Sequence, residues 1–189
     1  KLADASKNAA FIANLILFQA CGSTSAEEDL IKEFNSIKAS LSDSRQDIQI
    51  LRDLNTDIGE MYIAKDQYPK ALMYTLESLR LSEEVKLIDS RYAGNNEMLA
   101  TIYSNIGNYK EADVYGQKCL QVATLVRDTS RIGGSYMLLA KLMVKVKDEI
   151  KAQHYVDSAI IVMRDVKKCE DCYSLAKIVN AGVKNLSGD

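Results

Sequence analysis

The chain has 189 residues, one proline, no tryptophan and a formal net charge of −2. At about 100–200 residues per domain, this length fits one domain or one run of small repeats. A chain that is 47% hydrophobic and 26% charged is neither disordered nor a disulfide-dense miniprotein. A single proline argues against a turn-rich all-β fold, and the near-neutral charge argues against a non-specific nucleic-acid binder.

The N-terminal segment contains the most apolar stretch of the chain, AAFIANLILFQA at 9–20. It is shorter than the roughly 20 residues that a membrane-spanning helix needs. We favour a buried first helix, and the alternative is the core of a signal peptide. In the second case FQACGS resembles a bacterial lipoprotein cleavage site, and Cys21 would carry a lipid that anchors the chain to the cell envelope. Phe18 and Asp4 depart from that pattern, so a cytoplasmic location is slightly favoured.

Three segments of the central chain align with one another at offsets of 41 and then 40 residues. They are 54–81, 95–122 and 135–162. The matching columns are aliphatic (Ile58, Leu99, Leu139), small (Gly59, Ala100, Ala140), large (Tyr62, Tyr103, Met143), alanine (Ala71, Ala112, Ala152), tyrosine (Tyr74, Tyr115, Tyr155) and a small–aliphatic pair (Ser78-Leu79, Cys119-Leu120, Ala159-Ile160). One column fails, because Glu149 stands where the first two segments have Tyr68 and Tyr109.

The spacing of these columns predicts a helix hairpin in each segment. In the first segment Ile58 and Tyr62 lie one turn apart on one helix, and Ala71 and Tyr74 do the same on a second helix. Small residues let two helix backbones approach, and large residues fill the space beside them. A short polar turn joins each pair, and Pro69 fits the first turn of the second helix.

The order of small residue, tyrosine, turn, tyrosine, alanine and small–aliphatic pair resembles the tetratricopeptide repeat, most closely in IGNYKEADVYGQKCLQVA of the second segment. The resemblance covers about 51–164. The usual period is about 34 residues. Here it is 40–41, similar to the extended repeats of bacterial peptide-sensing regulators and scaffold proteins. The resemblance implies an all-α fold, an α-α superhelix of about four helix hairpins with a C-terminal capping helix.

The resemblance also implies that 1–189 is a single domain. Its parts are a degenerate first hairpin, three repeats and a capping helix, at 1–42, 43–88, 89–127, 128–166 and 170–186. Ser25 and Glu28 have the spacing of a capping box at the start of a helix. Two features depart from the family pattern: Asn55 and Asn96 replace large apolar residues, and the proline that usually ends each repeat is missing.

The cysteines do not form a disulfide framework. Cys119 lies in the apolar pattern KCLQVATLV and is expected to be a small buried residue. Cys169 and Cys172 form a CxxC pair, but a structural zinc needs about four ligands. Cys21, Cys119 and His154 are far away in the sequence. We therefore expect two unconnected thiols or a local disulfide, and no metal.

No pattern of catalytic residues is present. His154 is the single histidine, and a lone histidine on an outer helix is usually a solvated surface residue. Gly133 and Gly134 are not part of a phosphate-binding motif, and no residue pair has metal-ligand spacing such as HExxH. We expect a protein that is not an enzyme and has no cofactor.

The family binds peptides along the first helices of its hairpins, which line a concave groove. Helical spacing then gives the candidate partner-binding residues: Thr56, Glu60, Ile63, Glu97, Thr101, Ser104, Asn105, Met137, Lys141 and Lys145. The set is acidic toward the first repeat and basic toward the third, which predicts a partner segment of opposite polarity at its two ends. A clamp for a terminal carboxylate is not expected, because Thr56, Glu60 and Glu97 occupy the relevant faces. Each position also fits an ordinary exposed residue.

Two joints between repeats share a pattern, SRYAGN at 90–95 and SRIGGS at 130–135. We favour packing, in which Gly94 and Gly134 allow close helix approach and Arg91 and Arg131 bond the ends of helices. The alternative is a contact with an anion or a peptide at the edge of the groove.

Taken together, the patterns predict a non-catalytic module that binds a peptide or a partner domain, and a more specific version is the sensor part of a bacterial signalling protein. The alternatives are an envelope scaffold anchored through Cys21 and a self-associating assembly subunit, which would be a homo-oligomer. No direct contact with nucleic acid is expected, and membrane contact only through a lipid on Cys21.

Overall fold

The computed structural model describes residues 24–164 together with Lys177 and Ala181. Over 24–164 the chain forms helices and turns, with no strand in that range. The expected all-α fold class is confirmed. Several predictions fall outside the described residues or side chains: the helix at 9–20, the Cys21 site, the Ser25 capping box, the Cys169–Cys172 pair and the helix at 170–186.

Seven helices are described between residues 24 and 164. They are α1 (Thr24–Ser40), α2 (Arg45–Ala64), α3 (Tyr68–Glu84), α4 (Ser90–Asn105), α5 (Tyr109–Leu125), α6 (Thr129–Lys145) and α7 (Glu149–Arg164). The chain divides into two compact units, Lys1–Leu87 and Ile88–Asp189. The first unit contains α1 to α3, and the second contains α4 to α7.

In the first unit, α2 and α3 form a hairpin whose tyrosines stack. The Tyr62 and Tyr74 rings are 5.6 Å apart and nearly parallel. Phe34 of α1 meets Tyr74 edge-on at 5.9 Å, and Leu30 and Ile37 of the same helix are also buried. Aromatic contacts of this kind fix α1 against the hairpin.

The second unit contains two hairpins, α4 with α5 and α6 with α7, and they repeat the same design. Tyr103 and Tyr115 stack at 5.5 Å with an interplanar angle of 6°. In the second hairpin Met143 replaces the first tyrosine, so Tyr155 instead lies 6.3 Å from Tyr136. The Tyr155 hydroxyl also accepts a hydrogen bond of 2.7 Å from Gln117.

Small residues set the distance between helices. A β-carbon on Gly116 of α5 would lie 2.8 Å from Leu139 of α6, so this contact requires a glycine. Cys119 is 1% exposed, which confirms the prediction of a small buried residue. Its sulfur lies 3.0 Å from the Ser135 hydroxyl oxygen, and burial raises the pKa of its thiol to about 11.

The two asparagines that depart from the repeat pattern are buried, and the Oδ1 atom of Asn96 has no hydrogen-bond partner within residues 24–164. Asn55 and Asn96 are 3% and 0% exposed. Each side-chain amide donates at 2.7 Å to the backbone carbonyl four residues earlier, Leu51 and Tyr92 respectively. The amide nitrogens are thereby satisfied within their own helices.

Each hairpin turn contains one residue in the left-handed region. Asp66, Gly107 and Lys147 follow α2, α4 and α6 with φ of 56°, 82° and 60°. The next backbone amide then bonds a carbonyl five residues back, as from Asn108 to Tyr103 at 2.8 Å. This closes each helix in the manner of a Schellman motif. The second helices α3 and α5 end in the same way, at Lys86 and Arg127 with φ of 53° and 59°, and the next amides bond the Ser82 and Ala123 carbonyls. Backbone geometry therefore closes the repeats without the proline that usually ends them.

We expect opposite effects from substitutions at two equivalent turns of the second unit. Lys147→Gly should raise the free energy of unfolding by about 0.5–1 kcal/mol, because glycine adopts positive φ without steric cost. Gly107→Ala should lower it by about 1 kcal/mol. No atom lies within 4 Å of the added β-carbon, so the loss would come from φ alone. Urea unfolding of the full chain, followed by circular dichroism, measures both changes. A destabilised Lys147→Gly would contradict this account of the turns.

Glu27 of α1 joins all three helices of the first unit by charge. Its carboxylate lies 2.8 Å from the Lys70 ammonium of α3 and 3.2 Å from that of Lys65, which follows α2. Lys70 also lies 4.9 Å from the centre of the Tyr62 ring. The hydrogen bond from Lys70, assisted by Lys65 and opposed by burial, lowers the pKa of Glu27 to about 2.

We expect Glu27→Gln to lower stability at pH 7 by about 1 kcal/mol, since Lys70 is partly solvated and the pair is screened. The folded pKa lies below the ordinary value, so the ionised carboxylate stabilises the fold fully above pH 4.5. That contribution is lost as the pH falls toward 2. The difference from the native chain should therefore shrink between pH 5 and about pH 2.5. Glu28→Gln, at an exposed neighbour, is the matched control. The same pH dependence in both variants would refute the role of the Glu27 contacts.

Candidate functional site

A cleft of about 370 Å³ lies in the second unit, along α4 and α6. These are the first helices of the two hairpins of this unit. The lining residues are Glu97, Thr101, Ser104, Asn105, Gly134, Met137, Leu138, Lys141, Lys145 and Met163.

All the candidate residues predicted for the second and third repeats line this cleft. Glu97, Thr101 and Asn105 are spaced four residues apart on α4, and Met137 and Lys141 are spaced likewise on α6. Residues at this spacing lie on one helix face. Ser104 and Lys145 complete the set.

Three lining residues lie outside the predicted set of groove residues: Gly134, Leu138 and Met163. The first two lie on the same face of α6 as Met137, and their spacing could have identified them. Met163 lies at the end of α7, so no pattern within α4 or α6 points to it. A β-carbon on Gly133 would lie 2.8 Å from the Met163 methyl carbon, so a glycine in α6 lets the end of α7 come this close.

The floor of the cleft is apolar. Met137 and Met163 are 3% and 7% exposed, and Leu138 is half-buried beside them. Flexible methionine side chains adapt to apolar groups of different shape. The floor can therefore receive a large apolar side chain without selecting one shape strictly.

The rim of the cleft is polar. The Lys145 ammonium donates to the hydroxyl of Ser104 at 3.0 Å and to its carbonyl at 3.4 Å. Thr101 donates its hydroxyl to the Glu97 carbonyl at 2.9 Å. Asn105 is exposed at the end of α4. Such groups can bond the backbone of an extended segment that lies above the floor.

Arg131 lies beside Glu97, at the end of the cleft opposite Lys145, and does not itself line the cleft. Its guanidinium lies 2.6 Å from the carboxylate of Glu97 and 3.6 Å from that of Asp128. A β-carbon on Gly94 would lie 3.1 Å from the same guanidinium. These contacts support the packing interpretation of Arg131 and of the glycine in the first joint.

The prediction that Thr56 faces a groove is wrong. Thr56 is 3% exposed, and its hydroxyl oxygen lies 2.8 Å from that of Ser78 and 3.2 Å from the Arg52 carbonyl. Its face of α2 packs against the small residues of α3, so it belongs to the hairpin core. In the same unit Glu60 is exposed and Ile63 is half-buried.

The first unit contains a surface groove that the sequence analysis did not predict. Two adjoining hollows of about 610 and 520 Å³ share Asn35 of α1 with Met73 and Tyr74 of α3. Met73 is 57% exposed. In the sequence, the available signal for this groove was a methionine that lies outside the repeat columns.

The described residues hold no group of three or more histidine, cysteine and acidic side chains that could bind a metal ion. His154 is exposed, and its ring lies 5.8 Å from that of Tyr155. Within the same part of the chain, no helix is both long and apolar enough to span a membrane.

No family model matches the chain, and no curated protein does. Among solved structures, the chain is similar to one described as the crystal structure of BtubC (BKLC) from P. vanneervenii. The TM-score is 0.77 at 18% sequence identity, and the match covers 100% of this chain and 84% of that chain. At this identity the similarity shows the fold alone, which is helical and consistent with the α-α superhelix class.

Proposed function

We propose that the chain is a non-catalytic protein-interaction module of tetratricopeptide-like repeats that binds a peptide segment in the cleft along α4 and α6. The observation that carries this proposal is the convergence of the predicted residues of two repeats on one cleft. The cleft combines an apolar floor with polar groups above it, which is the usual composition of a binding site.

The dimensions of the cleft favour a short extended segment. On α6 the lining residues extend from Gly134 to Lys145, which is three turns or roughly 16 Å. An extended chain rises about 3.3 Å per residue, so roughly five residues fit along this length. A role as the sensor part of a bacterial signalling protein remains a prediction from the family resemblance.

A second candidate function is self-association through α7. Ile150 and Ile161 are 86% and 63% exposed. They lie three turns apart on one face of the helix, with His154 and Asp157 between them. Exposed apolar side chains that share a face favour contact with another protein surface.

Two threonines provide a matched test of the cleft. Peptides that bind the full chain would first be selected from a displayed library of random heptapeptides. Thr101→Tyr should then weaken their binding at least tenfold, because a ring at this position fills the cleft. Thr124→Tyr is the control: its hydroxyl makes the same bond to the carbonyl four residues earlier, at 2.8 Å, but it is exposed on α5. Fluorescence anisotropy with labelled peptides measures both affinities.

The proposal fails if no peptide is selected, or if the selected peptides bind Thr101→Tyr as well as the native chain. In that case, concentration-dependent oligomers in sedimentation velocity that Ile150→Glu abolishes would favour self-association.

A further inference from the structure

The charges of the cleft are unequally compensated. The Glu97 carboxylate is held by the Arg131 guanidinium at 2.6 Å. Lys141 is exposed and has no ion pair or hydrogen bond within residues 24–164. In the same range, Lys145 contacts only the hydroxyl and carbonyl oxygens of Ser104. The uncompensated charge of the described cleft residues is therefore positive, because the acidic residue that lines the cleft, Glu97, is neutralised from within the unit.

The two lysines form a single cationic subsite. Lys141 and Lys145 are one turn apart on α6, so their β-carbons are separated by about 6 Å. Two ammonium groups on flexible stems at this separation can bind one carboxylate together. The alternative ligand, a cation, would face both lysines and would compete with Arg131 for Glu97. Like charges brought together at a binding site are unfavourable, so such a ligand is rejected.

An apolar subsite adjoins the cationic one. Met137 lies one turn before Lys141 on the same face of α6, about 6 Å along the helix from Lys141 and about 9 Å from the midpoint of the two lysines, whose flexible stems cover the difference. In an extended peptide, alternate side chains lie on the same side at a spacing of about 6.7 Å. An acidic side chain and an apolar side chain two residues apart can therefore reach the lysines and the methionine floor at the same time.

We propose that the cleft selects a segment in which an acidic side chain lies two residues from a large apolar one. The carboxylate binds between Lys141 and Lys145, and the apolar side chain packs on Met137, Leu138 and Met163. This inference rests on the proposed function and replaces the expected segment of opposite polarity at its two ends. The Glu97–Arg131 pair lies at the opposite end of the cleft. Because these two charges compensate each other, the pair needs no charged group of the ligand.

The experiment uses the full chain and a library of random heptapeptides displayed without a free C-terminus, which removes terminal carboxylates as a source of charge. We expect the selected peptides to be enriched in aspartate or glutamate two residues from leucine, methionine or phenylalanine. Capped synthetic copies should lose at least tenfold in affinity for the variant Lys141→Glu/Lys145→Glu. Copies with lysine in place of the acidic residue should bind that variant better than they bind the native chain.

Lys110→Glu is the matched control, because Lys110 is exposed on α5 and lies outside the cleft. It should change the affinity of the acidic peptides less than twofold. Binding of the lysine-containing copies by Lys141→Glu/Lys145→Glu also shows that this variant is folded.

Three outcomes would overturn the inference. The inference is refuted, and the proposed function stays intact, if Thr101→Tyr weakens binding of the selected peptides but these peptides are not enriched in aspartate or glutamate. Equal losses in Lys110→Glu and Lys141→Glu/Lys145→Glu would show a general effect of charge instead of a subsite. If the library yields no peptide whose binding is weakened by Thr101→Tyr, both the proposed function and the inference are refuted.

Discussion

The close approach of paired helices through small residues is the constraint on which the rest of the structure depends. Ala71, Ala112 and Ala152 are completely buried, one in each hairpin. Gly116 has no room for a β-carbon beside Leu139. Protein interiors are closely packed, so a larger residue in such a column would force the helices apart. In the second unit, the distance between α4 and α6 follows from this packing, and their exposed faces then border one cleft.

Much of the fold could be predicted because the same columns recur at 41 and 40 residues. Tyrosine stacks form where the sequence aligns tyrosines, and the exception also follows from sequence, since Tyr155 meets Tyr136 where Met143 breaks the column. The missing repeat-ending proline has a physical substitute in two left-handed residues, Lys86 and Arg127, which follow the second helices α3 and α5. That substitute could not be predicted from the sequence, because side chains other than glycine rarely adopt positive φ.

The candidate site was predictable where it depended on the face of a single helix. The positions of the other residues depended on contacts between helices, which the sequence pattern does not show. Thr56 has the spacing of a groove residue, but a hydroxyl partner on α3 buries it. Met163 enters the cleft from a helix that the pattern assigns to the outer layer. The sequence indicated acidic residues toward the first repeat, but the one that lines this cleft, Glu97, is neutralised by Arg131, which is distant in sequence. Charge compensation of this kind depends on three-dimensional contacts, which a list of charges does not contain.

The cleft along α4 and α6 is the surface on which we propose that a partner binds. The most direct measurement is the change in backbone amide chemical shifts of the full chain as a selected peptide is added. We expect the largest changes on α4 and α6, between Glu97 and Asn105 and between Gly134 and Lys145, with a further change at Met163. Changes confined to the outer helices α5 and α7, or to the groove of the first unit around Met73, would contradict it.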